Sequence, residues 1–326
     1  MLYSKDIMRR IALLLIVLVT ASANASFDLM LLPSTVDSQI RRFDPVNRIG
    51  LGSFGNLGVG SGISVNLQSA NNAYVTSGNG TQVYNISTGE TIGGGFVPDA
   101  ITTTSLDGQT LFETWGNRLF RYDSGLNNNF SSGVIASGLV SSLSLGLNRV
   151  ASFGTDSLGN FSYIIFDTNA GTVGTWQTII PAASFGGIST IGTGFAALEG
   201  GNMRLRIPYR TNTSTDVFQT LTFINNGVLT ASTQFFMTGY GAGLKSIMPG
   251  HAGFWIVGDD ASSATTTRIS KYLGNGGFAG TYTTTAVDVP STRWSGANVV
   301  APEPGSMIAL GLGIAALLKR KKMRVS

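Results

Sequence analysis

The 326-residue chain contains no cysteine, a single histidine and little charge, with Asp, Glu, Lys and Arg making up 12% of it. Without cysteine there is no disulfide framework, thiolate zinc site or thiol nucleophile. His251 stands beside Pro249-Gly250, and the carboxylates nearest to it in sequence are Asp259 and Asp260. A Ser-His-Asp triad or a zinc centre would rest on this one imidazole, so a turn histidine is the expectation. The formal net charge of +4 does not indicate a nucleic-acid partner. Eight of the 21 basic residues sit at the ends, as Lys5, Arg9, Arg10, Lys319, Arg320, Lys321, Lys322 and Arg324, which leaves 13 in the body against 15 acids and no basic stripe.

What the chain has instead is 43 glycines and short apolar runs separated by Ser, Thr, Asn and Gly. That mixture is expected of many strands joined by tight turns, and it indicates an all-β fold.

The two ends differ from the body. Residues 1–25 read as a secretory signal: Arg9 and Arg10, an apolar stretch from Ile11 to Val19, then small residues in which Ala23 and Ala25 supply the pattern read by signal peptidase. The apolar core is about half the ~20 residues of a spanning helix, which argues against the alternative of an N-terminal anchor. Residues 301–326 contain Pro302-Glu303-Pro304, an apolar helix candidate from Gly305 to Leu318, and a basic tail of Lys319, Arg320, Lys321 and Lys322. Fourteen helical residues reach only about 21 Å, short of a hydrocarbon core near ~30 Å. The basic run is expected to stay cytoplasmic, and the two prolines keep the Glu303 region extended.

This order, "APEPGSMIALGLGIAALLKRKK", resembles the PEP-CTERM sorting signal of exopolysaccharide-producing Gram-negative bacteria; the bland alternative is an ordinary tail anchor. The resemblance covers about the last 25 residues. It implies that Pro302, Glu303 and Pro304 are recognised by an exosortase-type membrane enzyme. It further implies a chain anchored transiently in the inner membrane by its C-terminal helix, then placed at the cell surface or in the extracellular polysaccharide matrix.

Between the ends, residues 26–300 carry a faint repeat. An aromatic residue followed by Asp or Asn recurs at Phe43-Asp44, Tyr84-Asn85, Tyr122-Asp123 and Phe166-Asp167, and more loosely at Phe223 and Tyr272, with separations of 41, 38, 44, 57 and 49 residues. Four-stranded propeller blades with variable loops give such spacings. The clearest unit, "NAYVTSGNGTQVYNISTGETIGGGFVPDAITTTSLDGQ", reads as four short strands bounded by turns and resembles YVTN-type or surface-layer-like propeller repeats. The first unit supplies three strands, and "TRWSGANVV" near the end is a leftover fourth. If the two pair, a six-bladed ring closes and no sheet edge is left open. Seven blades remain open if the long fifth unit hides another, and a two-sheet sandwich is the structural alternative.

No catalytic, cofactor-binding or metal-ligating residue stands out. "GLGSFG" at Gly50, Gly52 and Gly55 matches a dinucleotide fingerprint, but no helical period follows, so these glycines read as tight-turn and close-packing residues. Asp259-Asp260 and Asp156 to Asn160 offer oxygens for calcium without the spacing of a calcium loop. Trp115, Trp176, Trp255 and Trp294 either stack on sugars or pack between blades, and their placement near strands favours packing. Two functional readings follow. The preferred one is a non-enzymatic propeller that binds or structures the exopolysaccharide matrix. The other is a secreted polysaccharide lyase or hydrolase with its carboxylates gathered at the channel.

Replacing Glu303 and both flanking prolines is expected to leave uncleaved protein in the inner membrane of a host carrying the processing enzyme. Fractionation that finds the altered protein in the matrix at normal size would refute the sorting reading.

Overall fold

The computed structural model describes residues 28–300, apart from 35–36, 59–61, 96–100, 116, 135–138, 147, 185, 226 and 291–292. The short apolar runs fold as strands, and among the described residues the helical structure is a single 3-10 turn, Ala182–Ser184. The strands form six sheets, each built from consecutive strands except where the last two join blades 1 and 2. From the axis outward, blade 1 is Ala297–Val300, Asp28–Ser34, Gln39–Asp44 and Ile49–Phe54; blade 2 is Gly62–Leu67, Asn72–Ser77, Gly80–Asn85 and Thr91–Gly95; blade 3 is Ile101–Thr104, Leu111–Trp115, Arg118–Tyr122 and Asn128–Ser131. Blade 4 is Leu139–Gly146, Arg149–Thr155 and Phe161–Asp167, with an outer edge divided between Thr172–Val173 and Gln177–Ile180. Blade 5 has its inner strand divided into Ile188–Ile191 and Phe195–Glu199, followed by Asn202–Thr211, Asp216–Ile224 and Val228–Met237. Blade 6 is Ser246–Gly250, Gly253–Asp260, Ser263–Leu273 and Phe278–Thr284. The protein is a six-bladed β-propeller. The long fifth unit holds no seventh blade: its outer three strands are simply nine or ten residues long.

The recurring aromatic-Asx pair has a structural reason. In every blade the aromatic residue lies near the end of the third strand and is buried. The Asx that follows turns the chain into the fourth strand by accepting backbone N–H groups. Asp44 takes those of Val46 and Asn47, Asn85 those of Ser87 and Thr88, Asp123 those of Gly125 and Asn127, and Asp167 those of Asn169 and Ala170. These bonds hold the carboxyls of Asp123 and Asp167 below the usual carboxylate range. The sequence unit is one strand out of phase with the blade. Ile101–Thr104, which reads as the fourth strand of the clearest unit, pairs with Leu111–Thr114 as the inner strand of blade 3.

This offset leaves blade 1 incomplete until the end of the chain, and "TRWSGANVV" completes it in two steps. Ala297–Val300 forms the inner strand beside Asp28–Ser34, while Arg293–Ser295 runs parallel to Gly62–Ser64 of blade 2. Gly296 makes the switch possible, because a Cβ there would lie 2.9 Å from Leu32 and Met248 side-chain atoms. Across the axis, Thr193 N donates to Lys245 O (3.0 Å), Ile247 N to Thr193 O (2.8 Å), and Thr193 Oγ1 to Trp294 O (3.1 Å). Blades 5 and 6 are thereby joined to each other and to the strand Arg293–Ser295 that lies against blade 2. The approach requires glycine at 192, where a Cβ would stand 2.1 Å from Lys245 O; Gly194 is as closely placed against its own blade, where a Cβ would lie 1.9 Å from Arg206 O.

The strands nearer the axis have a neighbouring blade on both faces and are largely buried, whereas outer strands such as Thr91–Gly95 are largely exposed. Met30 and Leu32 pack toward blade 6 with Met248, Trp255 and Trp294, while Leu31 between them packs toward blade 2 with Val65 and Val75. The core is correspondingly six apolar clusters, one in each gap between neighbouring blades. The gap between blades 2 and 3 is the most polar. Its buried apolar residues are Tyr74, Val83, Leu111 and Tyr122, and Ser64 and Thr102 join across it at 2.6 Å. Glu113, directly across the ladder from Thr102, is fully buried. It accepts a hydrogen bond from Tyr122 OH at 2.7 Å, and its other oxygen has no partner. Burial pushes its carboxyl up to about 7, against the opposing effect of the tyrosine bond.

The axial approach and the buried acid each give a test. Gly192→Ala, whose Cβ would stand 2.1 Å from Lys245 O, is expected to destabilise the fold by at least ~2 kcal/mol, whereas Gly50→Ala, whose Cβ would meet nothing within 4 Å, should change stability by under ~1 kcal/mol. Equal chemical-denaturation midpoints for the two variants would contradict the close approach. Glu113 holds its proton in the folded state to higher pH than in the unfolded chain. Its favourable contribution is therefore complete below the ordinary glutamate range and is lost as pH rises through about 7. Relative to Glu113→Gln, the wild type should lose up to ~3 kcal/mol across that interval; a difference between the two that stays constant with pH would refute the assignment.

Candidate functional site

Around the axis, the inner strands of blades 1, 2, 3, 5 and 6 and their adjoining turns line a cavity of about 350 Å³. Its walls come from Val65 to Ala70 of blade 2, Thr103 to Gly108 of blade 3, Phe195 of blade 5, Pro249 of blade 6 and Asn298 of blade 1. Gly194, Ile247 and Gly296 also line it; they adjoin the junction of Thr193, Ser246 and Trp294, where blades 5 and 6 meet the strand Arg293–Ser295.

The polar groups of this mouth are largely engaged within the protein. Asn66 Nδ2 donates to Thr102 Oγ1 at 2.7 Å, Gln68 Nε2 to Tyr74 OH at 2.9 Å, and Asn298 Nδ2 to Pro249 O at 2.8 Å. Asp107 accepts from Ser105 Oγ at 2.5 Å and Gln109 N at 3.1 Å, and these bonds hold its carboxyl below the ordinary range. Among the described residues Asp107 is the only acid in the lining, and no histidine, lysine or arginine joins it there. An ionised lone aspartate cannot act as a general acid at neutral pH, and glycoside hydrolysis needs a second carboxylate facing the first.

His251 lies in the turn after Ser246–Gly250, where its carbonyl accepts Lys271 Nζ at 2.7 Å. Asp259 and Asp260 are at the far end of the strand Gly253–Asp260, about 25 Å away at ordinary strand rise, so these groups do not form a triad. Asp260 pairs with Arg268, and Asp156 accepts from Leu158 N, Asn160 N, Asn160 Nδ2 and Ser162 Oγ. Both carboxylates are taken up by their own loops. Among the described residues no group of three or more His, Cys, Asp or Glu is placed to hold a metal ion.

Gly50 and Gly52 lie in the outer strand of blade 1, not at the start of a helix. Gly52 and Gly55 have positive φ, as turn residues do. A Cβ on Gly50 or Gly52 would meet nothing within 4 Å, whereas one on Gly55 would lie 3.3 Å from the Tyr84 ring, so the close-packing role belongs to Gly55 alone. Trp255 and Trp294 are buried between blades 6 and 1, and Trp176 packs against the cluster between blades 3 and 4. Trp115 is half exposed, with its ring 6.3 Å from that of Phe120.

Sequence reasoning missed a buried charge cluster between blades 5 and 6. Lys245 Nζ donates to Asp216 Oδ1 at 2.7 Å and to Gly241 O at 2.8 Å, and Arg210 Nη1 donates to Asp216 Oδ2 at 3.2 Å. Burial lowers the Lys245 ammonium and raises the Asp216 carboxyl from their ordinary values, while the pairing opposes both shifts. Lys245 lies 29 residues from Asp216 in sequence, and the three residues belong to no motif. Glu113 did leave a trace, as an acid between Leu111 and Trp115 on one strand face.

Ala23, Ala25, Pro302, Glu303, Pro304, Lys319, Arg320, Lys321 and Lys322 lie outside the described residues, as do the helices expected at both ends. Among the described residues no helix is long and apolar enough to cross a membrane.

Comparison with known proteins bears on both parts of the chain. No curated protein matches it. Among solved structures, the SapL1 lectin in complex with alpha methyl fucoside is 13% identical, with a TM-score of 0.55 over 82% of this chain and 94% of the lectin. A Bacteroides caccae protein of unknown function is 10% identical, with a TM-score of 0.56 over 85% of this chain and all of the other. The putative TolB of Agrobacterium tumefaciens is 11% identical, with a TM-score of 0.52 over 86% of this chain and all of TolB. At such identities the likeness shows the fold alone. Residues 300–322 match the PEP-CTERM protein-sorting motif. The chain therefore carries a signal that marks an exported protein sorted by way of the membrane, and that implies processing by an exosortase.

Proposed function

We propose that this is a surface or extracellular-matrix protein whose propeller binds saccharide and serves as a non-catalytic component of an exopolysaccharide matrix. The observation that carries the reading is the axial mouth: a mixed polar and apolar cavity whose single acid among the described residues is hydrogen-bonded to its own turn. Such a cavity can hold a neutral ligand but offers no acid-base pair. The SapL1 complex adds support, since a lectin of similar fold is in complex with alpha methyl fucoside. The sorting motif supports delivery to a compartment where polysaccharide is available. A polysaccharide-degrading enzyme would need a second carboxylate opposite Asp107, and none lines the mouth among the described residues.

The test is retention on the producer's own exopolysaccharide. Immobilised polymer should retain the purified protein without releasing shortened or unsaturated oligosaccharides, as followed by size-exclusion chromatography and absorbance. Depolymerisation that disappears in Asp107→Asn would replace this reading with the enzymatic one, and failure to bind would remove it.

A further inference from the structure

Phe236 and Phe278 are the most exposed phenylalanines among the described residues, at 62% and 60%, and both line one groove. It lies between the outer strands of blades 5 and 6 and encloses about 270 Å³. Its aromatic wall is fixed from behind. Phe235 stacks on Phe218 with ring centroids 4.8 Å apart and planes 11° apart, and Phe278 meets the Tyr272 ring edge-on at 5.6 Å. The turn of blade 6 sits directly on Phe235: Gly276 has φ +89°, and a Cβ there would stand 2.4 Å from that ring. The rings are thus held in place by packing while much of Phe278 stays in water.

The rest of the lining is polar. Thr238, Arg268, Ser270 and Thr281 bring hydroxyl and guanidinium groups to the same groove. The charge of Arg268 is matched inside the protein, since Asp260 Oδ1 lies 2.6 Å from its Nη2 and 2.7 Å from its Nε. Its Nη1 reaches only Thr281 Oγ1, at 3.5 Å, which leaves a donor directed at the groove without a net charge there. A phenyl face beside neutral donors and acceptors matches one class of ligand: a six-membered sugar ring, whose C–H face covers the aromatic surface while its hydroxyls exchange hydrogen bonds at the rim.

We infer that the groove between blades 5 and 6 is a binding site for neutral pyranose units, separate from the axial mouth, with Phe278 as its stacking platform. The inference rests on the saccharide-binding reading and gives it a position and a ligand charge.

Binding is measured by biolayer interferometry on the full chain in detergent, with cellohexaose as the neutral probe, tetragalacturonate as the anionic probe and the producer's exopolysaccharide as reference. Cellohexaose should bind. Phe278→Ala should weaken it at least tenfold, Phe278→Trp should preserve it, and Leu158→Ala, at an exposed turn of blade 4, should leave it unchanged. Circular dichroism should be identical for all four proteins. Binding of cellohexaose that ignores Phe278→Ala, or preference for tetragalacturonate, overturns the groove assignment while the saccharide-binding function stands. Binding of the exopolysaccharide but not cellohexaose does the same. Loss of all three interactions in the wild type removes both. If Phe278→Ala instead converts a dimer to a monomer in sedimentation, the groove is a protein contact and the sugar proposal falls.

Discussion

The structure depends on one late contact, the pairing of Ala297–Val300 with Asp28–Ser34. Until it forms, blade 1 lacks its inner strand, Asp28–Ser34 presents an open edge, and the apolar surfaces of Met30 and Leu32 lack Trp294. The contact spans almost the whole body in sequence, so its loop-closure entropy is offset only after the intervening blades are packed. It also constrains export. Pro302 follows Val300 by two residues, so the signal begins where the fold is completed. A processing enzyme that cuts beyond Val300 leaves the ring intact, whereas a cut before Ala297 would remove the inner strand of blade 1.

What holds the blades changes with distance from the axis. Farther out, each gap is filled by large apolar side chains, as Phe161, Tyr163, Tyr209 and Phe223 fill that between blades 4 and 5. Near the axis, where strands converge and large side chains do not fit, small hydroxyls take over: Ser64 with Thr102, Thr114 with Ser142, and Ser142 with Ser152, at 2.5–2.6 Å. Buried hydroxyls that bond one another avoid the desolvation cost each would carry alone. The abundance of Ser, Thr and Gly that marks the sequence is thus a geometric requirement of a narrow centre.

The all-β class, the blade count and the closing strand were legible because each follows from local chemistry. The aromatic residue before Asx marks the end of the third strand, since that strand needs a core residue and then a turn with backbone acceptors. The last two blades were faint because Asn225 and Asn275 follow their aromatics at greater or shifted distance, although Asn275 still accepts the N–H of Gly277. The phase of the repeat was not legible, because Ile101–Thr104 pairs as well in principle with the strand before it as with the one after. The joining of Lys245 to Asp216 and the division of the last strand between two sheets were also hidden. Both depend on which blades become neighbours and how closely, information that no single stretch contains.

The two candidate binding surfaces differ in where affinity would come from. At the axial mouth, Asn66, Gln68 and Asn298 already donate to protein acceptors, so a ligand there must share or replace existing bonds, and the net gain per hydrogen bond is small. In the groove between blades 5 and 6, the exposed area of Phe278 is uncovered in the free protein and its ring is already oriented by Tyr272. Covering it removes apolar surface from water without reorganising the fold. Under the proposed saccharide-binding function, weak, preformed contact of this kind would suit a repetitive polymer, whose many identical units raise the effective concentration at each site.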